Sequence, residues 1–297
     1  LVFLAMIISI GFMLKDNYAM KNLIICTLVI ATINVLSCII CYYAFDVHIS
    51  QRNNLKLNGF YGNKNIFAVA LLFKLPFLYY AFLRFKKFIR YYSLFLIFAI
   101  SFCLVILSTR SSFIGLFVQL ALLTFYGIFY KIKSRNISIV LKHSSLYLLI
   151  CVVGIAGFIL GDAFLKYNFN HYSKTETNNY SIEARVNSIA EGNSKGRLLI
   201  WENTSEIIKQ SPLIGYGVGN HKLAIMKVEC AKKHDYVVSD HAHNDFLEMF
   251  SELGIFGFLL YISTYLVFTI MALRQMLRYS HLQHRLLALV ALSLILT

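Results

Sequence analysis

The sequence predicts an all-α membrane protein: a polytopic transmembrane helical bundle with one large outer loop, periplasmic if the cell has two membranes, that contains amphipathic helices, the chain being truncated at both ends. Three observations predict it. Of the 297 residues 58% are hydrophobic and 14% charged, against roughly 45–50% and about 25% in soluble domains. Apolar runs that approach the roughly 20 residues needed to cross a bilayer recur along the chain. Finally, Lys and Arg gather in the gaps between those runs and form no stripe interleaved with exposed aromatics. The net charge of +14 therefore reads as topology and not as a nucleic-acid footprint, and no nucleic acid is expected as a partner.

Eight runs are predicted to span: 1–14, 22–45, 65–83, 92–108, 112–130, 144–162, 246–273 and 286–297. The first and last are short, and the chain opens without Met inside an apolar run, so both ends read as interior to a longer protein. The first run has neither the basic start nor the small-residue cleavage site of a signal peptide. Residues 1–162 then form six spans, 163–245 a large extramembrane loop, and 246–297 two further spans. Phe and Tyr supply 44 residues and proline only Pro76 and Pro212, a mixture suited to long helices with aromatic interfaces among membrane lipids. Five of the six cysteines lie in apolar runs and only Cys230 in the loop, which gives no disulfide framework and no metal-type Cys/His spacing.

Orientation follows from the short connections. One alternate set holds thirteen basic residues (Lys15, Lys21, Arg84, Lys86, Lys87, Arg90, Lys131, Lys133, Arg135, Lys142, Arg274, Arg278 and Arg285) against the single acid Asp16. The opposite set holds Arg52, Lys56, Lys64 and Arg110 with Asp46. The positive-inside rule puts the first set in the cytoplasm and the loop 163–245 outside.

Within that loop, 166–196 is polar and rich in Asn, Ser and Lys and reads as irregular. From Arg197, GRLLIWENTSEIIKQ places Ile200, Trp201, Thr204, Ile207 and Ile208 at helical spacing, and predicts an amphipathic helix stopped before Pro212. The sequence GYGVGN, Gly215 to Asn220, follows a helix and has GxGxG spacing. It reads as a glycine turn and not a nucleotide cradle.

Several positions could carry chemistry. In HAHND, Asn244 is a good N-cap for the next helix, and Asp245 and Glu248 suit its positive end. His243 is thereby expected just outside a helix N-terminus, which disfavours added positive charge and leaves a neutral imidazole able to take a proton. The alternative is a pair of amphipathic interface histidines. His241 and His243 could also ligate a metal with His221, His234 or Asp240, although HxH alone is weak evidence. Asp245, Glu248 and Glu252 share a helical face, where a dipole effect competes with acid–base chemistry as the explanation.

Arg110, in LSTRSSFIG, sits between two apolar runs with almost no loop. An arginine that close to hydrocarbon costs several kcal/mol unless it is paired or snorkels, so it is either functional or an interfacial anchor. Arg197 opens the amphipathic helix, where a cation is unfavourable unless an anion binds. Lys74 lies mid-span two residues before Pro76 and is either structural or cavity-lining.

Taken in order, GFYGNKN before a span, STRSS at an outer helix junction, GRLLIW followed by SPLIGYGVG, and HAHNDFLEMFSELGIFG entering the next span resemble the O-antigen ligase and polymerase superfamily. The resemblance covers roughly residues 58–262. It implies a membrane bundle of about a dozen helices and transfer of a glycan from an undecaprenyl diphosphate carrier, without cofactor or metal, at the periplasmic face of the bacterial inner membrane. Arg110 and Arg197 would hold the diphosphate and His243 would activate the acceptor hydroxyl, with His241 and Asn244 in supporting, substrate-binding roles. The acceptor would be lipid A core in a ligase, another lipid-linked repeat in a polymerase, or a protein hydroxyl in related oligosaccharyltransferases. The HAHN entry and GxGxG loop read closest to ligases. A transporter would place charges at broken helices in mid-membrane, and here only Lys74 does so.

Overall fold

The computed structural model describes residues 17–45, 57–133, 137–172, 195–231 and 239–278, with Ala288 and Val290. Among the described residues the chain forms nine helices and no strand. It divides into two compact units, Leu1–Val186 with Ala272–Thr297, and Asn187–Met271.

Six helices belong to the first unit. These are α1 (Asn17–Ala44), α2 (Lys64–Leu72), α3 (Leu75–Arg84), α4 (Lys87–Leu107), α5 (Arg110–Lys133) and α6 (Ile137–Tyr172). In α1 the buried residues Met20, Ile24, Leu28, Ala31, Val35, Cys38 and Tyr42 recur at three and four positions and make one seam. The opposite face is just as apolar and exposed, with Val29, Ile33, Leu36 and Ile40. A helix that is apolar all round suits a lipid solvent.

Helix α4 packs between α6 and α3, and small residues set its distance from α6. A Cβ added at Gly157 would stand 2.4 Å from the Phe98 carbonyl oxygen, and one at Gly161 would stand 3.0 Å from Val105 Cβ. This close approach replaces the hydrophobic drive that lipid cannot supply between helices. Tyr42 adds a buried polar tie by accepting from Asn168 Nδ2 at 3.1 Å.

The expected span 65–83 is broken into α2 and α3. Pro76 has no N–H, so the Leu72 carbonyl four residues earlier loses its helical donor. Gln119 of α5 supplies one instead, with Nε2 at 3.3 Å from that oxygen. Lys74 N–H turns to the Leu71 carbonyl, and the Ala70 carbonyl so released accepts from Lys74 Nζ at 2.6 Å. Lys74 therefore caps its own broken helix, which favours the structural reading of that residue.

Membrane-crossing length and apolarity are met by Tyr18–Ala44, Lys64–Arg84, Lys87–Leu107, Ser145–Asn168 and Asp245–Gln275, with Ser111–Tyr126 as a shorter apolar helix. These match the second to seventh expected runs and make this a multi-pass helical membrane protein. The first run lies outside the described residues, as does the eighth apart from Ala288 and Val290. Two expectations need correction. Helix α6 does not stop at 162 but continues to Tyr172, carried past the apolar run by the Asp162–Lys166 ion pair at 2.9 Å and by Asn168 on Tyr42. Residues 166–172 are thus helical, while 173–194 of the expected loop lie outside the described residues. Likewise 246–273 is not one straight span, because Gly254 breaks it.

The second unit holds α7 (Lys195–Gln210), α8 (His221–Ala231) and α9 (Asp245–Arg278) as far as Met271. The amphipathic helix forms as the spacing predicts, with Thr204 and Ile207 fully buried. Its small core joins Ile207 to Ala224, Ile225 and Val228 of α8. That second helix was not read from the sequence.

Candidate functional site at the HAHND loop

Helix α9 kinks at Gly254, whose φ of 63° and ψ of −173° are non-helical. The break frees the Ser251 and Glu252 carbonyls and the Ile255 N–H, and the turn after α7 satisfies all three. Tyr216 N–H donates to Ser251 at 3.0 Å, Gly217 N–H donates to Glu252 at 2.8 Å, and Pro212 accepts from Ile255 at 2.8 Å. The two chains cross where neither has a side chain. A Cβ at Gly215 would sit 2.4 Å from the Glu252 carbonyl oxygen, and one at Gly254 would sit 2.3 Å from that of Leu213. The glycine turn of the sequence thus seats itself in the helix break, and Gly215, Gly217 and Gly219 all take positive φ.

The first leg of α9, residues 245–253, carries three acids, and its caps build the site. Asn244 is the N-cap, as expected: its Oδ1 accepts from Phe246 N–H at 3.1 Å and Leu247 N–H at 3.4 Å. One turn on, the Glu248 carboxylate reaches back. It accepts from Ala242 N–H at 2.9 Å and faces His241 Nδ1 at 3.0 Å. Glu252 accepts from His221 N–H at 3.3 Å and so caps α8. Two of the three carboxylates are therefore engaged by backbone N–H groups, Glu252 at the start of α8 and Glu248 in the loop, which argues against an acid–base pair on this face.

Ala242 is fully buried and held on both sides, because its carbonyl accepts from Trp201 Nε1 at 2.9 Å. Between pinned Ala242 and the cap Asn244, His243 is exposed and has a φ of 51°, a left-handed conformation uncommon for a side-chain-bearing residue. Such strain persists only where the surroundings dictate it, and it turns an exposed imidazole outward at the start of a helix. His241 is exposed too, and its hydrogen bond to Glu248 raises its pKa above the usual histidine value. Asp240 forms an ion pair with Lys222 at 2.5 Å, which lowers the pKa of its carboxyl.

The other expected site residues are reached as backbone positions. Arg110 is the first residue of α5 and follows a two-residue turn in which Ser108 (φ 50°) ends α4 and donates its N–H to the Leu104 carbonyl. Thr109 Oγ1 donates to Ser112 Oγ at 2.6 Å and closes that turn. Arg197 lies in the first turn of α7, four residues before Trp201. What the arginine side chains contact lies outside the described residues. Among the described residues no three His, Cys, Asp or Glu side chains converge as a metal site would require, and His234 lies outside them.

Sequence reading missed the parts played by Trp201, Gly254 and His221. Trp201 was placed on the apolar face of α7 although it is the only tryptophan in the chain. A buried indole needs a partner for its N–H, and that was the available signal. Gly254 interrupts an apolar run, a cue for a kink. His221 is almost fully buried, and burial lowers its pKa below the usual histidine value. Nothing in the local pattern announced that.

Comparison with curated proteins and with solved structures finds no match. The family model described as O-antigen ligase matches residues 94–262, a stretch that excludes GFYGNKN but includes Arg110, Arg197, His241, His243 and Asn244. That is more than half of the chain, and the chain therefore belongs to the O-antigen ligase family, glycosyltransferase-like membrane enzymes acting on lipid-linked glycans.

Proposed function

We propose that this protein is an O-antigen ligase, moving a glycan from undecaprenyl diphosphate to a lipid A-core acceptor at the periplasmic face of the bacterial inner membrane, with no metal or other cofactor. The observation that carries the reading is the pose of His243: exposed, in a left-handed backbone, and fixed between Ala242 and Asn244 at a helix start. In the proposed step the acceptor hydroxyl oxygen attacks the anomeric carbon and gives its proton to the His243 imidazole. The bond from that carbon to the diphosphate oxygen breaks. Charge then grows on the departing diphosphate, where the guanidinium forks of Arg110 and Arg197 are assigned to hold it. His241 and Asn244 support the loop and line the acceptor side. The charge count supports a common outer face for these residues.

General-base help is worth typically 10²–10⁴-fold. In vitro transfer from the polyprenyl-linked donor by the full-length protein should therefore fall by at least about a hundredfold in His243→Ala. A rate above about a tenth of wild type would remove the base role on that scale. Arg110→Lys and Arg197→Lys keep charge but lose the planar fork, and both should lower transfer. Alkaline phosphatase fused after Lys174 or Lys232 should be active, and fused after Lys87, Arg135 or Arg278 inactive. Deleting the gene discriminates within the family: loss of all capped chains with accumulation of lipid-linked polymer means ligase, and a core bearing one repeat means polymerase.

A further inference from the structure

A second histidine, His221, faces the inside of the same unit, and neither the family match nor the proposed step gives it a role. It is 2% exposed and opens α8. Its Nδ1 lies 2.9 Å from Ser251 Oγ. The Ser251 hydroxyl in turn lies 2.8 Å from the Glu248 carbonyl oxygen. A carbonyl oxygen can only accept, so the serine proton goes to Glu248 and the serine oxygen must accept from histidine. The network thereby fixes the tautomer: His221 carries its proton on Nδ1 and leaves a bare acceptor at Nε2. That Nε2 is buried and has no hydrogen-bond partner among the described residues.

Several ionisable groups surround the ring, namely Glu248 and Glu252 on α9, Glu229 on α8, and His241 on the loop. Burial nevertheless outweighs them and lowers the His221 pKa below the usual histidine value, in the direction that favours the Nδ1–H tautomer. The chain of bonds continues outward. Ser251 and Glu248 lie on one turn of α9, and the Glu248 carboxylate holds the Ala242 N–H and His241. Ala242 precedes His243. The serine holds the backbone carbonyl of Glu248, and the Glu248 side chain, pinned at its carboxylate by two partners, carries the restraint on to the loop.

We infer that His221 is a positioning residue for glycan transfer, acting through Nδ1–H···Ser251 Oγ–H···O=C of Glu248 to fix the turn of α9 from which the Glu248 carboxylate holds the Ala242 N–H beside His243. The inference rests on the proposed base role of His243. Its chemistry is confined to the Nδ1 side, and that makes it separable from a generic packing role. An asparagine amide reproduces a donor near the Nδ1 position, whereas a glutamine amide reaches toward Nε2.

The test uses the full-length protein with the polyprenyl-linked donor, and compares His221→Asn, His221→Gln, Ser251→Ala and His243→Ala. A misplacement of about 1 Å can cost on the order of a hundredfold. His221→Gln and Ser251→Ala should therefore lower kcat by about tenfold or more with acceptor KM nearly unchanged, and His221→Asn should stay within about threefold of wild type. Hydrogen exchange of the peptide spanning 239–247 gives a readout independent of activity. Amide exchange at Ala242 and His243 should quicken in His221→Gln and Ser251→Ala but not in His221→Asn. Equal losses in the Asn and Gln variants, or an intact rate in Ser251→Ala, would overturn the inference. If His243→Ala retains transfer while the exchange pattern holds, the base role fails and the positioning chain survives as structure only.

Discussion

In the first unit α4 and α6 meet through glycines that remain helical, so that a carbonyl of one helix lies against a bare Cα of the other. In the second unit the 211–217 turn and α9 meet through Gly215 and Gly254, which have left the helical region altogether, with φ of 74° and 63°. The first arrangement is a packing device and the second a backbone device. Packing at Gly157 shortens a distance while the residue keeps its place in a continuous helix. The crossing at Gly254 sacrifices helical bonds and recovers them from another segment. Such an exchange costs little only while both partners are present, so the second unit should fail more abruptly than the first.

The largest expected effect follows from that difference. Gly254→Ala and Gly215→Ala each place a methyl within 2.4 Å of backbone atoms that cannot rotate away. Each also forces a left-handed conformation, which costs roughly 1–3 kcal/mol for a residue bearing Cβ. Together with the clash we expect about 3 kcal/mol or more per site. Exchange should quicken across 211–217 and 245–257, and transfer should be lost. Wild-type exchange in either variant would mean that the crossing is not needed to hold the helix break.

Gly157→Ala in the first unit should be milder. The conformation stays helical, and the cost is overpacking against Phe98, typically about 1–3 kcal/mol. Gly154→Ala is its control, since the new methyl meets side-chain atoms alone, Leu120 at 3.5 Å and Ser101 Oγ at 3.7 Å, both ordinary contacts. It should be neutral or slightly stabilising, because alanine is the better helix former by about 1 kcal/mol. Thermal melting of the detergent-solubilised protein checks the pair. Equal losses at 154 and 157 would show that the stripe is not read position by position. Gln119→Leu ranks next: it leaves the Leu72 carbonyl without its Gln119 bond, at a cost of about 1–3 kcal/mol for a buried unsatisfied group.

The same contrast explains what the sequence made legible. Helical spans of the first unit were readable because lipid imposes length and apolarity on every residue of a run, and Asn244 was readable because capping is local chemistry. The breaks were not. Pro76 lies inside an apolar run whose hydropathy is intact, and its lost bond is repaired by Gln119, forty-three positions after the proline. Gly254 is bonded around by residues about forty positions earlier. Helix α8 escaped because Asn220 before it reads as part of the glycine turn, and the His221 N–H is capped from α9 by Glu252. Asn244, His241 and His243 were read from one pentapeptide, while Trp201, which holds the Ala242 carbonyl between them, sits in another helix. Long-range caps leave no periodic trace, and this site is built from them.

The smallest effect concerns the loop's own charge pair. His241 has its pKa raised above the ordinary value, first by its hydrogen bond to Glu248 and then by the attraction of that carboxylate. For a histidine so shifted, the pair's contribution is fully present below the unfolded pKa. It is lost as pH rises through the higher folded pKa. Glu248→Gln keeps an acceptor for the Ala242 N–H and removes the charge. The difference in local stability between wild type and this variant should therefore be larger near pH 5.5 than near pH 8. The His241 side chain is 70% exposed, and solvent screening confines the effect to the range of exposed pairs, about 0–1 kcal/mol. Exchange of the 239–247 peptide at the two pH values, corrected for intrinsic rates, measures it directly. A difference that grows toward pH 8 would mean that neutral His241 carries the contact. The loop would then be held by the Ala242 N–H, Trp201 and Asn244 bonds, with no help from charge.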